Sequence, residues 1–527
     1  MPTRTDSNGR PNEKHLRYTN AALLFLSVLW CVYWFVHAWH YWEDDAFIHL
    51  EFARSVANHR GFAFDGKIVS GDTAPLWVFL LVAAHLLVPN WLVAGKLLTA
   101  LGVLLGLTGA YAFARRLSAS LPGSQLFPAA LVLLIAANPY FCYWSFSGME
   151  PIAAAGVAFW AALAATAERP STQSFLTGCL LAGIAPLLRP EMVFLTAILT
   201  LLLAAQWARL PGKIASPSKL AAFTAGLILV LGPLTAWSLY SLHAFGHLIP
   251  NTNAAKRAAA ADSVLLRLLT AYSVAFPVIL CGALAGIAYA LFRPGPFRAS
   301  IQTAFKSAFS PRSRPPSETR GSTHSLPLAG WIFIVWPLIT AIFYIPNHTY
   351  VQTRYILVTA PALTIVVMLF AFAVSHRVYR AVYSLALLAA LTISLVTVRP
   401  FLRNKAIDDQ ATQTLALFIR DHVPPGAPVA VFAIGEVVFY SEHPIVDTGG
   451  ITQPGAIPYL TQPQQAMLQW ARSQGARFYV SGQSIEPGST LVFTAPSKYI
   501  GWTIHTSLYS QPTNVSLWQL PQAPTSQ

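Results

Sequence analysis

Apolar runs follow one another from Ala21 to Thr397 so densely that no water-soluble fold could bury them all. A hydrocarbon core near 30 Å thick asks for about 20 apolar residues per helix. The runs therefore predict eleven membrane helices, near 20–38, 91–114, 126–145, 151–167, 173–188, 192–208, 220–241, 271–292, 327–345, 356–374 and 381–398. The first, from Ala21 to His37, is too long for a signal-peptide core and no small-residue cleavage pattern follows, so it is read as a retained span. Pro75–Val88 is short for a span and reads as an interfacial or re-entrant piece. Between these two runs, Ile48, Phe52 and Val56 recur four apart and predict an amphipathic interfacial helix. Asp45 directly precedes that run, which makes it the better placed of the acidic pair to cap the helix; Asp44 is left over.

Beyond Pro400 the pattern changes to that of a small soluble α/β domain. Leu415, Phe418 and Ile419 give Asp409–His422 helical spacing, and a β-type run follows at Pro428–Ile434. Gln464–Ser473 is helical again, Arg477–Ser481 reads as a strand, and Thr490–Thr494 and Trp502–Leu508 are β-like. The chain thus divides into a tail at 1–19, a membrane domain at 20–398 and an α/β domain at 399–527. Within the membrane domain, 39–90 is the first outer loop and the Pro-, Ser- and Arg-rich stretch 293–325 a flexible basic loop.

Composition agrees: 55% of residues are apolar and 10% charged, with a mean hydropathy of +0.51, against about a quarter charged in soluble domains. The net charge of +14 suggests nucleic acid until its placement is read. Lys and Arg sit between the apolar runs rather than on one face, so their partners are anionic lipids and no nucleic acid is expected. If Pro75–Val88 does not cross, every second connection is basic: Arg4–Arg17, Arg115/Arg116, Arg169, Arg209–Lys219, Arg293–Arg320 and Arg377/Arg380. The positive-inside rule places these in the cytoplasm. The opposite face then carries 39–90, Ser147–Glu150, Arg189–Glu191, His243–Thr270, Asn347–Tyr355 and the tail domain. The four cysteines all lie in apolar runs, which argues against a disulfide framework or a Cys-rich zinc site.

The outer segments collect the residues that could carry chemistry: Asp44, Asp45, Asp72, Glu150, Arg189, Glu191, His243, His247, Asn251, Lys256 and Arg354. Each alone is explicable as the wet end of a helix; their convergence on one face predicts a site. Arg189 and Glu191 flank Pro190 and are equally readable as a local ion pair or as substrate contacts. His243 and His247, four apart, invite a metal but lack a third ligand at diagnostic spacing, so interfacial polar residues are the simpler account. In the tail, Ile434-Gly435-Glu436 and Asp447 offer a turn and a strand-end acid as a site edge.

Several motifs, in order along nearly the whole chain, carry a resemblance. They are Asp44-Asp45-Ala46-Phe47-Ile48, Gly71-Asp72-Thr73-Ala74-Pro75-Leu76-Trp77, Ser147-Gly148-Met149-Glu150, Arg189-Pro190-Glu191, Leu248-Ile249-Pro250-Asn251-Thr252 with Lys256, Arg354-Tyr355, and the tail's Ile434-Gly435-Glu436 with Asp447. The sequence resembles the GT-C superfamily of integral-membrane glycosyltransferases, and within it the branch of the mycobacterial terminal arabinofuranosyltransferases and their bacterial relatives. It departs from the pattern in carrying Glu51 where that branch has Arg, Pro151 where it has Thr, and no aromatic at Asn253 or Ala254. The resemblance implies an inverting transfer from a polyprenyl-phosphate sugar to a cell-envelope glycan or glycolipid, on the outer face of the cytoplasmic membrane. An aspartate takes the acceptor proton, for which Asp44 is the expected base beside Asp45. Lys256 and Arg354, with Arg189 next, hold the lipid phosphate. Glu150, Glu191, Asp72, His243, His247 and Asn251 are expected around the substrates, and a divalent metal on the acidic pair stays open. Alternatives are a ligase or polymerase of the O-antigen kind and, from another class, a lipid-linked sugar flippase. No internal repeat favours the latter, and the charges cluster at span ends rather than mid-membrane.

Overall fold

The computed structural model describes residues 13–119, 121, 123–214, 216–258, 263–275, 328–348, 351–374, 376–482, 487–498 and 512–521. The predicted span at 271–292 beyond residue 275, the loop at 293–325 and the β-like stretch 502–508 lie outside them. The chain opens with α1 (Glu13–His37), whose Phe25, Leu26, Val28, Leu29, Val32 and Val36 are exposed. A contiguous apolar face of this kind on a soluble monomer would be an association site; on a helix 25 residues long it is a lipid-facing surface. The amphipathic α2 (Asp44–Ala57) and a two-strand ribbon, β1 (Ala63–Phe64) and β2 (Lys67–Ile68), follow. Then comes α3 (Pro75–Leu87), whose 13 residues rise about 20 Å, short of a membrane core.

The helical body continues with α4 (Trp91–Ser118), α5 (Phe127–Ala137), α6 (Pro139–Ser145), α7 (Pro151–Ala165), α8 (Thr172–Leu188), α9 (Met192–Ala208) and α10 (Pro217–Phe245). Short α11 (Asn251–Ala258) and α12 (Val264–Ala275) precede α13 (Leu328–Tyr344), α14 (Thr353–Leu357), α15 (Ala360–Val374) and α16 (His376–Ile393). Among the described residues four helices are long and apolar enough to cross a membrane, and a fifth candidate is the bent pair α5–α6. That pair reads as one run at 126–145 in the sequence but bends by 69°. The cause is local: Pro139 has no amide to give, and the Asn138 side chain instead accepts from Tyr140 N (3.0 Å) and Phe141 N (3.2 Å), starting a new helix.

Small residues bring the helices together where lipid offers no hydrophobic drive. Gly102, Gly106 and Gly109 line one face of α4, and a Cβ at each would come within 3.0 Å of Ala153, Ile152 and Phe159 of α7. Cys31, Cys142 and Cys179 are unpaired thiols.

The tail differs from expectation at its start. The helical spacing in the sequence covers only Asp409–His422. Instead α16 passes through a π-helical turn (Ser394–Val398) into α17 (Arg399–His422) as one apolar-then-polar rod. The turn is held where Ser394 Oγ donates to Ala137 O at 2.9 Å, and it lies just before Pro400, which has no amide hydrogen to give to the continuous rod. Beyond the rod lie β3 (Val429–Val431), α18 (Ile434–Ser441), β4 (Ile445–Asp447), a 3-10 helix (Pro454–Tyr459), α19 (Gln464–Ser473), β5 (Phe478–Ser481), β6 (Thr490–Lys498) and β7 (Pro512–Gln519). The sheet order is β4-β3-β5-β7-β6, parallel about β3 and antiparallel from β5 onwards, with a bulge between Leu491 and Phe493.

Candidate active site

The segment carrying the acidic pair is fixed by groups from several elements. Lys96 of α4, 1% exposed, donates to the carbonyls of Ala38 (2.9 Å), Phe146 (2.6 Å) and Tyr41, tying the end of α1 to the turn before α7. In that turn Gly148 has φ +90°, and a Cβ there would sit 2.6 Å from Trp42 and Ala46, so the motif glycine is required twice over. Its carbonyl accepts from Trp77 Nε1 at 3.1 Å. Glu43 N donates to Ser147 O at 3.1 Å, and the Glu43 carboxylate accepts from the hydroxyls of Tyr41 (2.7 Å) and Tyr143.

Beside this turn is a cleft with about 390 Å³ of empty space, walled by α2, α11 and α14, by the segments just before α3 and α7, by Arg189 and by Ile451 of the tail domain. Five charged side chains form an alternating line along its floor. Asp72 Oδ2 lies 2.5 Å from His49 Nδ1, and His49 Nε2 lies 3.3 Å from Glu150. Arg189 then bridges Glu150 (2.6 Å) and Glu191 (2.5 Å). None of the five is more than 6% exposed. Asp72 also accepts from Ala74 N at 2.6 Å and so starts α3, which explains the acid before Pro75. Burial disfavours the His49 charge, but Asp72 and Glu150 more than offset it and push its pKa up to about 10, so His49 is a cation at neutral pH. Burial likewise opposes the Glu150 charge, and His49 and Arg189 override it and hold Glu150 ionised.

At the open side of the cleft Arg354 is paired with Asp45, whose side chain is 34% exposed and faces the cavity. Burial works against ionisation of Asp45, but Arg354 and Lys256 win and hold it well below the usual carboxylate range. Lys256 donates to the Tyr355 hydroxyl at 2.7 Å. Among the described residues it is the cavity cation with no carboxylate in ion-pair contact. The Tyr355 ring centre lies 4.9 Å from the Arg189 guanidinium, 5.4 Å from Lys256 and 5.7 Å from Arg354, so three cations surround one tyrosine, Lys256 at its hydroxyl end.

The two aspartates are held differently from the expected capping pattern. Asp45 does not cap α2, which starts after Glu43 without a side-chain cap; its carboxylate is drawn to Arg354, 309 residues on. Asp44 is the committed one, its oxygens accepting from Gly435 N (3.2 Å) and Glu436 N (2.9 Å) at the start of α18. Asp72, Glu150, Arg189, Lys256 and Arg354 all line the cleft, while Glu191 anchors Arg189 and lines an adjoining cleft under α13. His243 and His247 are exposed at the end of α10, and His247 Nδ1 is engaged with Ile249 O at 2.8 Å. Asn251 is met at its backbone, which donates to Ser70 O at 2.9 Å and docks α11. Among the described residues no three His, Cys, Asp or Glu side chains converge as a metal would require, so no step below is routed through one.

Asp447 is not a site edge but a loop builder, accepting from Gly449 N (2.8 Å), Gly450 N (3.1 Å), Thr452 N (2.6 Å) and Thr452 Oγ1 (3.0 Å). That loop presents Ile451 to the cleft. Sequence reasoning gave no role to His49 or Lys96, and named Tyr355 only as part of the Arg354-Tyr355 motif. For His49, a histidine among acidic motifs was the available signal.

A family model described as "Domain of unknown function (DUF8728)" matches residues 403–518, the tail domain with the end of the rod. No curated protein matches the chain significantly by sequence. Among solved structures, ArnT from Cupriavidus metallidurans bound to undecaprenyl phosphate superposes with a TM-score of 0.51 at 14% identity, over 94% of this chain and 98% of that one. The apo form of ArnT gives 0.52 at 14% identity over the same shares. The arabinofuranosyltransferase AftD from Mycobacteria is similar more loosely, with a TM-score of 0.49 at 15% identity over 99% of this chain and 41% of that one. At 14% identity the ArnT likeness is one of fold alone.

Proposed function

We propose that this chain, sharing the fold of ArnT, is a membrane glycosyltransferase that moves a sugar from a polyprenyl-phosphate carrier to a cell-envelope glycan or glycolipid. The observation that carries the reading is one cavity holding a partly exposed carboxylate, Asp45, against two cations, Arg354 and Lys256, of which the second lacks a carboxylate partner among the described residues. The lipid phosphate supplies the missing anion. Its arrival draws Arg354 and Lys256 away from Asp45 and removes the interactions that depress that carboxylate, so Asp45 becomes a competent base when the donor is in place. The acceptor hydroxyl oxygen then bonds to the anomeric carbon and its proton passes to Asp45. The anomeric C–O bond to phosphate breaks, and the departing phosphate keeps that electron pair beside Arg354 and Lys256. Asp44 is unsuited to the proton because its carboxylate is already engaged by two amides.

Fold likeness to a protein that binds undecaprenyl phosphate supports this donor class. If Lys256 holds the phosphate, Lys256→Ala weakens binding of undecaprenyl phosphate tenfold to hundredfold, about 1.5–3 kcal/mol for a charge-assisted contact. Native mass spectrometry with that lipid reads the change. Unaltered binding would move the phosphate elsewhere, first to Arg189.

The eleven-span topology, with the amino terminus in the cytoplasm and the cleft on the outer face of the cytoplasmic membrane, belongs to the same proposal. The basic loops support it. Single cysteines at the exposed positions Gly66 and Gly426, in a background without native thiols, then take an impermeant label from the same side of the membrane. Labelling from opposite sides would end the topology and the outward-facing site together.

A further inference from the structure

The tail domain makes an α/β crevice and then fills it from within the molecule. In an open α/β sheet the place for an anion is the helix N-terminus at the carboxyl end of a strand, beside the point where the connections diverge. Here β3 lies between β4 and β5, and α18 begins three residues after β3 ends. The anion at that helix start is the Asp44 carboxylate, carried in from the first outer loop. The fit is close: a Cβ on Gly435 would overlap the Asp44 carbonyl oxygen and come 3.1 Å from Asp44 Oδ1. A second tie runs through the rod, where Asp409 of α17 accepts from Trp42 N at 3.1 Å and is itself paired with Lys405. The segment 42–45 is therefore gripped by the tail domain at two points, one on the residue next to Asp45.

We infer that Asp44 is a positioning residue: its carboxylate docks the tail domain on the first outer loop and so fixes the direction in which Asp45 faces the cleft. Taking Asp45 as the base rests on the reading of function above. The docking itself does not. The tail domain thereby becomes a structural part of the active site rather than a separate binding module.

Three full-length variants test this. Asp44→Ala removes the acceptor. Gly435→Ala blocks the same contact from the tail side without touching the outer loop, and alanine is itself a good helix residue. Asp44→Asn keeps an amide oxygen that can accept. Hydrogen exchange over 434–441, read in detergent, should quicken roughly fivefold or more in the two alanine variants and much less in Asp44→Asn. Since an ångström of misplacement costs on the order of a hundredfold, kcat should fall about tenfold to hundredfold in both alanine variants, with KM for the lipid-linked donor within about twofold, and Asp44→Asn should recover most of the loss. Unchanged exchange in both alanine variants would overturn the docking, whether or not the protein turns over any sugar. Quickened exchange with unaltered kcat would overturn the positioning role. An Asp44→Asn protein as inactive as Asp45→Asn, with donor binding intact, would make Asp44 the base and overturn the inference.

Discussion

Asp45→Asn lowers turnover of the lipid-linked donor by about 10²–10⁴-fold, the range for loss of a general base, while donor binding is retained or strengthened. Asparagine keeps the shape of the side chain but cannot take the acceptor proton. It also removes the charge that Arg354 now faces, which leaves that guanidinium, 5% exposed, free for the phosphate. A fall in kcat with unchanged or lower donor KM is the signature expected. The contrasting variant Arg354→Ala fails on the binding side, so the pair of measurements separates base from phosphate ligand. Turnover within a few-fold of wild type in Asp45→Asn would remove Asp45 from the chemistry.

Arg189→Ala has its largest effect on the fold. Among the described residues it strands Glu191, 6% exposed, and leaves Glu150, 2% exposed, with His49 as its remaining cation. Removing one member of a buried ionic cluster costs about 3–5 kcal/mol, a large share of the roughly 5–15 kcal/mol that holds a typical domain together. The purified variant is expected to melt far below wild type in the same detergent and to be recovered poorly. Arg189→Lys retains the charge but lacks the planar fork that meets both acids, so it falls between the two. An alanine variant with an unchanged melting midpoint would show that the line from Asp72 to Glu191 carries little of the stability.

The apolar helices and the amphipathic α2 are legible in the sequence because they rest on local patterns: apolar run length and fourfold spacing after Asp45. What escaped is nonlocal. The sequence sees that Asp44 and Asp45 precede a helix and assigns a cap accordingly. It cannot see that their partners are Gly435 and Arg354, each more than 300 residues away. His49 is silent for the same reason, since Asp72 and Glu150 meet it only in the folded state. The start of α17 at Arg399 is likewise nonlocal: Lys405 and Asp409 are held by buried contacts, Asp409 to Trp42 of the first outer loop, that the polar run does not announce. Even Asn138-Pro139, a local break signal, is masked by the apolar residues on either side.

Turnover by the purified, reconstituted protein of a panel of polyprenyl-phosphate sugars, run beside the matching nucleotide sugars with and without an added envelope glycolipid acceptor, tests the central claim most directly. The account predicts that at least one lipid-linked sugar is consumed with release of polyprenyl phosphate, that Asp45→Asn abolishes this, and that no nucleotide sugar is used. Robust consumption of a nucleotide sugar in the absence of any lipid carrier would contradict it.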